Sequence, residues 1–305
     1  MEGWHGWDEY AAYYDWENAQ TVGRRDIAFW QRMASAVKGP VLELGCGTGR
    51  VALPVAREGA TVVGIDRSQP MLDRARKRVR RARLQSQVQL VRGDIRFLPF
   101  PDKSFPLVMA PYGILQSLLA ERDLAKTLAA VSRVLTKKGT FGLELVADLP
   151  AWDEYSKRIS MRGKRGPNGK PITLVESVIQ DRAKQITRFE QEFVEGRGKT
   201  AVRQKFGLAF RTLTVPQMVR RLEKAGLEVS ALQGDYQGGL WDLRAEVWII
   251  LARRGSNARL PFWTNPKGRP YSFPGVTACP AIPSGTQSST RRARPTPSAA
   301  RFSRV

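Results

Sequence analysis

The chain of 305 residues has little of what metal centres and disulfide-stabilised folds require. It contains one histidine, His5, and two cysteines, Cys46 and Cys279. One histidine excludes a multi-histidine metal site, and two distant cysteines do not make a disulfide framework. We therefore predict no metal site and expect a reducing compartment, with the cytoplasm as the default location.

Long apolar runs are also missing. No stretch of about 18 apolar residues, the length that predicts a membrane-spanning helix, occurs in the sequence. The first ten residues, MEGWHGWDEY, are acidic and aromatic, whereas a secretory signal begins with basic residues and continues with apolar ones. We therefore expect no association with membranes.

Acidic residues are scarce relative to basic ones. The sequence contains 50 Lys and Arg residues and 28 Asp and Glu residues, which gives a net charge of +22. Residues 256–305 carry eight of these excess positive charges and no acidic residue, so +14 remains on the first 255 residues. Such a charge favours anionic partners, and binding of nucleic acid through the basic surface and tail stays open as an alternative.

The densest basic run, Arg74–Arg83, has a second interpretation. It fits the solvated face of an amphipathic helix, and this interpretation is preferred because charge runs are weakly specific. The buried side of that helix would consist of Met71, Leu72, Ala75 and Val79.

The two ends of the chain differ in composition. The first 37 residues include eight aromatic side chains and predict a helical cap that packs over another part of the protein. Residues 255–305 are basic, rich in Pro, Ser and Arg, and without apolar periodicity, which predicts a disordered tail with no specific role.

Residues 38–254 predict one α/β domain. Short apolar runs alternate with amphipathic helical stretches at Ser68–Arg83 and Glu121–Leu135, the pattern of a doubly wound, mostly parallel sheet. The predicted strands are Val41–Leu44, Thr61–Ile65, Val88–Val91, Leu107–Ala110 and Phe141–Val146.

The pattern changes after Pro150. Apolar and polar residues alternate in three segments, which predict a small antiparallel β insertion at about 151–213. A helix after Thr214 and an antiparallel hairpin then bring the main sheet to seven strands. The three insertion strands are Ile172–Gln180, Gln185–Phe193 and Val202–Leu213, and the hairpin strands are Leu227–Leu232 and Glu246–Ala252.

The most informative segment is VLELGCGTGR at Val41–Arg50, a buried strand that leads into a glycine-rich turn and a helix. Gly45, Gly47 and Gly49 permit positive φ and let a ligand approach the backbone, while amides at the helix start offer donors. Glu43 supplies a carboxylate at the end of the strand. The third glycine is displaced from the dinucleotide pattern G-x-G-x-x-G.

The pattern E-x-G-x-G-x-G after the first strand resembles motif I of the class I S-adenosylmethionine-dependent methyltransferases. The resemblance extends over about residues 40–252 and implies S-adenosylmethionine as the cofactor. It also implies that Asp66, at the end of the second strand, accepts hydrogen bonds from the ribose hydroxyls. Asp94 would lie near the adenine amino group, with Ile95 packing nearby.

The same resemblance suggests further cofactor contacts. Arg67 directly follows Asp66, and Met71 either contacts adenine or belongs to the core. Cys46 is interpreted as a small loop residue between glycines rather than a nucleophile, because no basic partner is implied. Ala110 ends the fourth strand, where the sulfonium and the acceptor would meet, and Tyr14 either closes over the cofactor or only packs.

The acceptor is less well defined by the sequence. The absence of histidine from the body excludes a histidine general base there, and we assign no catalytic residue. Met109–Tyr112 lacks the Asn- or Asp-Pro-Pro-aromatic pattern of enzymes that methylate adenine or glutamine amino groups. We therefore expect a small-molecule acceptor, with the β insertion forming an acceptor pocket or a dimer contact.

Two other classes of function remain as alternatives. The basic charge supports an RNA-directed methyltransferase or a nucleic-acid-binding protein. A nicotinamide-dependent dehydrogenase is the third hypothesis, and the displaced glycine and missing histidine argue against it.

Overall fold

The computed structural model describes residues 6–21, 25–147, 152–166, 169–245 and 247–255. Trp4 and the tail after Gly255, for which disorder was predicted, lie outside the described residues. Six α-helices and eleven strands occur in the described part of the chain. The helices are α1 (Trp7–Gln20), α2 (Ile27–Ser35), α3 (Ala52–Arg57), α4 (Gln69–Ala82), α5 (Glu121–Val134) and α6 (Val215–Lys224). The strands are β1 (Val41–Leu44), β2 (Val62–Asp66), β3 (Val88–Arg92), β4 (Phe105–Ala110), β5 (Leu135–Val146), β6 (Tyr155–Arg165), β7 (Lys170–Asp181), β8 (Ile186–Glu195), β9 (Val202–Arg211), β10 (Leu227–Gln233) and β11 (Val247–Arg254).

The main sheet has seven strands in the order β10-β11-β5-β4-β1-β2-β3. Strands β1 to β5 pair in parallel, whereas β11 runs antiparallel to both β5 and β10. This arrangement confirms the predicted doubly wound sheet with its antiparallel last hairpin. The chain moves outward from β1 to β3 and then crosses back to β4, so the strand order reverses beside β1. A ligand crevice is expected at the carboxyl ends of the strands at such a switch point.

A second sheet contains β6, β7, β8 and β9 in that order, all antiparallel. The antiparallel insertion is confirmed, but the sequence predicted only three of its four strands. The missing strand, β6, has the sequence YSKRISMRGKR and lies at the edge of the sheet with most of its side chains partly or fully exposed. Because neither face of this strand is fully buried, it lacks the apolar alternation that identified its neighbours.

Helices α3 and α4 pack apolar faces against the main sheet. Strand β1 is buried along its whole length, as expected for the centre of a parallel sheet. In α4 the Ser68 side chain accepts a hydrogen bond from the Met71 backbone and caps the helix. The predicted buried side of α4 is confirmed, since Met71, Leu72, Ala75 and Val79 are all buried.

The N-terminal helices pack against different parts of the molecule. On α2, Trp30 is fully buried and lies against Gly142 of β5, where a Cβ atom would be 3.1 Å from the indole ring. On α1, the Tyr13 ring stacks on Phe193 of β8 with a centroid distance of 4.4 Å. The second sheet is therefore covered by α1. None of the described helices is long and apolar enough to cross a bilayer.

The buried aromatic residue of β5 offers a test of the core. Phe141 is completely buried, so Phe141→Ala removes its packing and leaves a cavity. We expect the free energy of unfolding to fall by about 3–5 kcal/mol, measured by denaturant titration. The matched control Phe97→Ala removes a ring that is 60% exposed. The free energy of unfolding of this variant should fall by no more than about 1 kcal/mol, which is the strength of the cation–π contacts that Phe97 makes with Arg96 and Lys126. Equal losses in the two variants would contradict this description of the core.

Candidate active site

A cavity of about 580 Å³ opens at the carboxyl ends of the parallel strands. One wall is formed by the residues that follow β1, β2, β3 and β4, which places the cavity beside the switch point. The opposite wall comes from α1 and the second sheet. Ten of the sequence-predicted site residues line it: Tyr14, Glu43, Gly45, Cys46, Gly47, Asp66, Arg67, Met71, Asp94 and Ile95.

The glycine turn after β1 has the conformation that its sequence requires. Gly45 and Gly47 have φ of +62° and +52°, in the left-handed region that favours glycine. A Cβ atom on Gly45 would lie 2.5 Å from Ile114 Cδ1, a distance that excludes any side chain without rearrangement. Both glycines line the cavity, where no side chain separates their backbone from it.

Two predicted cofactor residues do not line the cavity. Gly49 packs towards α3, where a Cβ atom would lie 2.4 Å from Leu53 Cδ1, so this glycine serves close packing of the turn on the helix. Ala110 is completely buried in β4, where it pairs with Leu143 of β5. The chain leaves the sheet only after Ala110, and it is Pro111 and Tyr112 that reach the cavity.

Asp66 organises the loops around the cavity. Its Oδ2 accepts a hydrogen bond from the Gly47 backbone N–H at 2.8 Å, and its Oδ1 accepts one from the Ser68 N–H at 2.8 Å. Burial raises the pKa of this carboxyl. A carboxylate has about four acceptor sites, so Asp66 remains able to accept a hydrogen bond from a ligand.

Glu43 brings a buried carboxylate to the same wall. The side chain is 2% exposed, and its Oε2 has no hydrogen-bond partner among the described residues. Burial raises the pKa of Glu43 to about 8, against the opposing effect of Arg50. An unpartnered buried acceptor is costly, so this oxygen is suited to accept a hydrogen bond from a ligand in the cavity.

Asp94 lies where the sequence predicted, on the cavity wall after β3, but its carboxylate already binds Arg96. The guanidinium donates to both oxygens, with Nη2 at 2.7 Å from Oδ2 and Nε at 3.0 Å from each oxygen. Arg96 also reaches Asp123 of α5 at 3.0 Å. Arg96 is not among the residues predicted from the sequence, although its position two residues after Asp94 is a signal that such a pair can form.

Three other predicted residues lie in buried environments on the cavity wall. Burial raises the pKa of the Cys46 thiol well above its ordinary value, which supports its interpretation as a loop residue. Met71 is 2% exposed and lines the cavity, so it belongs to both the core and the site. The Tyr14 ring is 3.9 Å from the position of a Gly47 Cβ atom, and burial raises its pKa to about 12.

A buried ion pair beneath the glycine turn was also missed. Arg50 donates to both oxygens of Asp26 at 2.7 and 2.8 Å, and Asp26 is 1% exposed. The guanidinium lines the cavity and lies 5.7 Å from the centre of the Tyr112 ring. This pair fixes the start of α2 to the glycine turn.

The wall opposite the strand ends carries a cluster of polar side chains that were not predicted from the sequence. It comprises Tyr10 and Glu17 of α1, Tyr155 of β6, Glu176 of β7 and Gln191 of β8. These residues are far apart in the chain, so spacing does not group them. The signal that the sequence does offer is a polar residue at an inward-facing position in each of the two central strands of the second sheet. These residues are Glu176 and Gln191, which are buried and directly paired.

Comparison with known proteins identifies relatives of this chain. Residues 41–139 match the family model of a methyltransferase domain. The chain is 28% identical over 215 residues to the cypemycin N-terminal methyltransferase of a Streptomyces species, over 70% of this chain and 82% of that protein. It is 34% identical over 126 residues to the demethylmenaquinone methyltransferase of Lactobacillus johnsonii. This second match spans 38% of the chain and only half of the length of that relative.

Solved structures share the fold. The CcbJ methyltransferase from Streptomyces caelestis superposes with a TM-score of 0.68 at 22% identity, over 82% of this chain and 97% of that one. An S-adenosylmethionine-dependent methyltransferase from Clostridium acetobutylicum gives a TM-score of 0.66 at 18% identity, over 81% and 99% of the two chains.

Glu43 predicts a pH dependence of stability. Its carboxyl has an ordinary pKa of 4.5 in the unfolded chain and about 8 in the folded one, so the folded state binds the proton more tightly. Its contribution to stability is present below the unfolded pKa and is lost as the pH rises through the folded pKa. Without ligand, we expect this contribution to the Tm to fall between about pH 4.5 and about pH 8, and Glu43→Gln to reduce that fall.

The control for this measurement is Glu190→Gln, which removes an exposed carboxylate of β8 and should leave the pH profile of the Tm unchanged. Burial also raises the pKa values of Glu17 and Glu144 to about 7, so these two carboxyls lower the Tm in the same direction as the pH rises. Glu43→Gln therefore keeps part of the fall in Tm with pH. Identical slopes in Glu43→Gln and the wild type would show that Glu43 ionises as easily in the folded chain as in the unfolded one.

Proposed function

We propose that this chain is a class I S-adenosylmethionine-dependent methyltransferase that transfers the methyl group of that cofactor to a small-molecule acceptor; its match to a methyltransferase-domain model and its shared fold support the proposal. The observation that carries the proposal is the cavity itself. Its first wall presents the motif residues of the cofactor site, and its second wall closes the space with α1 and the inserted sheet. A volume of about 580 Å³ is in the range of small-molecule sites.

The residues of the first wall fit S-adenosylmethionine. The unpartnered Oε2 of Glu43 is suited to accept a hydrogen bond from the cofactor's ammonium group. Gly45 and Gly47 let the backbone approach the ligand, and a side chain on Gly45 would displace Ile114. The remaining lone pairs of Asp66 are suited to the two ribose hydroxyls.

The adenine end would contact residues at the ends of β2 and β3. Ile95 and Met71 supply apolar contacts, and Asp94 accepts from the adenine amino group while Arg96 holds its carboxylate in place. Arg67 and Cys46 line the space between these groups, and Tyr14 covers it from α1.

When bound, the cofactor supplies a methyl group activated by a sulfonium. The chain's contribution is then to orient the acceptor and to exclude water, because an in-line displacement needs little acid or base chemistry. Aromatic side chains of the second wall, among them Trp152 and Phe189, make a largely apolar enclosure for this step.

The ion pairs on α4 weaken the nucleic-acid alternative. Arg78 and Arg74 reach Asp15 of α1 at 3.1 and 3.9 Å, and Arg76 pairs with Asp73 at 2.9 Å. Three of the seven basic residues in this run therefore form ion pairs within the protein, with two carboxylates between them. A dimer contact through the second sheet stays a prediction.

Calorimetric titration with S-adenosylhomocysteine, the spent cofactor, tests the proposal, with NAD as the control ligand. We expect binding of the former alone. Asp66→Ala should weaken it by about 100-fold or more, because two hydrogen bonds to a charged group are worth about 1.5–3 kcal/mol each.

Asp73→Ala provides the matched control, since it removes an exposed carboxylate from α4, seven residues along the chain and outside the cavity. This variant should bind like the wild type. If NAD bound instead, or if Asp66→Ala kept the wild-type affinity, the cofactor assignment would be wrong.

A further inference from the structure

Two carboxylates meet in the second wall of the cavity. The side-chain amide nitrogen of Gln191 donates to Glu17 Oε1 at 2.8 Å and to Glu176 Oε2 at 2.9 Å, so a single amide joins them. Glu176 is 6% exposed, and all three residues line the cavity. We refer to Glu17, Gln191 and Glu176 as the acid pair and its bridge.

The hydrogen-bond donors of this cluster are already used. Tyr10 Oη donates to Glu17 Oε2, and Tyr155 Oη donates to Glu176 Oε1 at 2.5 Å. Both amide hydrogens of Gln191 go to the acid pair. What remains for a ligand is a set of acceptors, including Gln191 Oε1, which has no partner among the described residues although its side chain is only 4% exposed. A ligand that completes this site is therefore one that brings hydrogen-bond donors.

The charge of the site selects a cation. No Lys or Arg of the described residues forms an ion pair with Glu17 or Glu176. Arg158 also lines the cavity, but its guanidinium lies over the Tyr155 ring at 5.4 Å and is exposed. Two buried carboxylates without a counter-charge are costly, and a ligand cation removes that cost.

The surroundings of the cluster suit an organic cation. The rings of Trp152 and Phe189 meet edge to face at 5.0 Å, and Phe210 follows at 6.0 Å from Phe189. All three rings line the cavity. Aromatic faces attract ammonium groups, most strongly where water is excluded.

We propose that the acceptor is a basic amine, held as an ammonium by the acid pair and its bridge, and that its nitrogen is the atom methylated. The inference rests on the proposed function. In the reaction, Glu17 takes one proton from the ammonium, and the freed lone pair of the nitrogen forms a bond to the methyl carbon. The carbon–sulfur bond breaks with its electron pair remaining on sulfur, and the products are a methylated ammonium and neutral S-adenosylhomocysteine.

The protonation of Glu17 agrees with this role. Burial, as the largest effect, raises its pKa to about 7, and the hydrogen bond from Tyr10 opposes the rise. The other titratable groups around it are Glu176 and Tyr112. A carboxyl that titrates near neutral pH is suited to accept a proton and release it again.

A structural role for the cluster gives a different expectation. Gln191 and Glu17 also connect the second sheet to α1, so removal of a carboxylate could change only stability. A purely structural cluster would not discriminate between an ammonium and a hydroxyl group of the same shape. The test is therefore a ratio of two affinities measured on one protein sample.

The experiment is calorimetric titration of the full chain, saturated with S-adenosylhomocysteine, with tyramine and with 2-(4-hydroxyphenyl)ethanol. These probes differ only in ammonium against hydroxyl. We expect tyramine to bind at least about tenfold more tightly, as expected for a hydrogen bond to a charged group. In Glu176→Gln the advantage should fall to about twofold or less, with affinity for S-adenosylhomocysteine unchanged. If Glu176→Gln does not fold, Glu17→Gln provides the same measurement.

Glu190→Gln is the matched control, because Glu190 is the exposed neighbour of Gln191 on the other face of β8. It should keep the wild-type preference for tyramine. Equal affinity for the two probes, no measurable binding of tyramine, or a preference that survives in Glu176→Gln would overturn the inference. Failure to bind S-adenosylhomocysteine would instead overturn the proposed function, so the two outcomes are distinguishable.

Discussion

The site depends on the two backbone hydrogen bonds that Asp66 accepts. One comes from Gly47 in the turn after β1, and the other comes from Ser68 at the start of α4. Through them a single carboxylate fixes the glycine turn against the beginning of the neighbouring helix. The parallel pairing of β1 with β2 brings Asp66 to this position, since Leu44 and Ile65 are aligned at the ends of the two strands. The ligand-facing backbone is therefore ordered by the sheet itself.

The second constraint is how α1 is held over that backbone. On one side, Asp15 accepts hydrogen bonds from Thr48 and Arg78, which join the helix to the glycine turn and to α4. On the other side, Tyr13 packs on Phe193, and Glu17 accepts from Gln191 of the second sheet. The helix thus links the parallel sheet to the inserted one. Both halves of the cavity share it as a wall, so the proposed cofactor and acceptor regions are formed together.

The sequence predicts the parts of this arrangement that are local. A buried strand, a glycine turn and a carboxylate after the next strand are close in sequence, and Glu43, Gly47 and Asp66 indeed line one cavity. It does not predict contacts between distant segments, such as Arg50 with Asp26 or Glu17 with Gln191, because apolar periodicity carries no information on polar pairs. Strand β6 was missed for the opposite reason, since an exposed edge strand has no buried face to produce a pattern.

The charge of the cavity differs in sign from the charge of the chain. The whole sequence carries +22, yet seven carboxylates and four guanidinium groups line the cavity. Among those carboxylates, Glu43 and Glu17 are buried deeply enough for their pKa values to rise towards neutral pH. A basic exterior repels cations at long range, but screening limits that effect to about 8 Å in physiological salt. Inside the cavity the low dielectric strengthens the local interaction, so an acidic interior can hold a cationic ligand within a strongly basic protein.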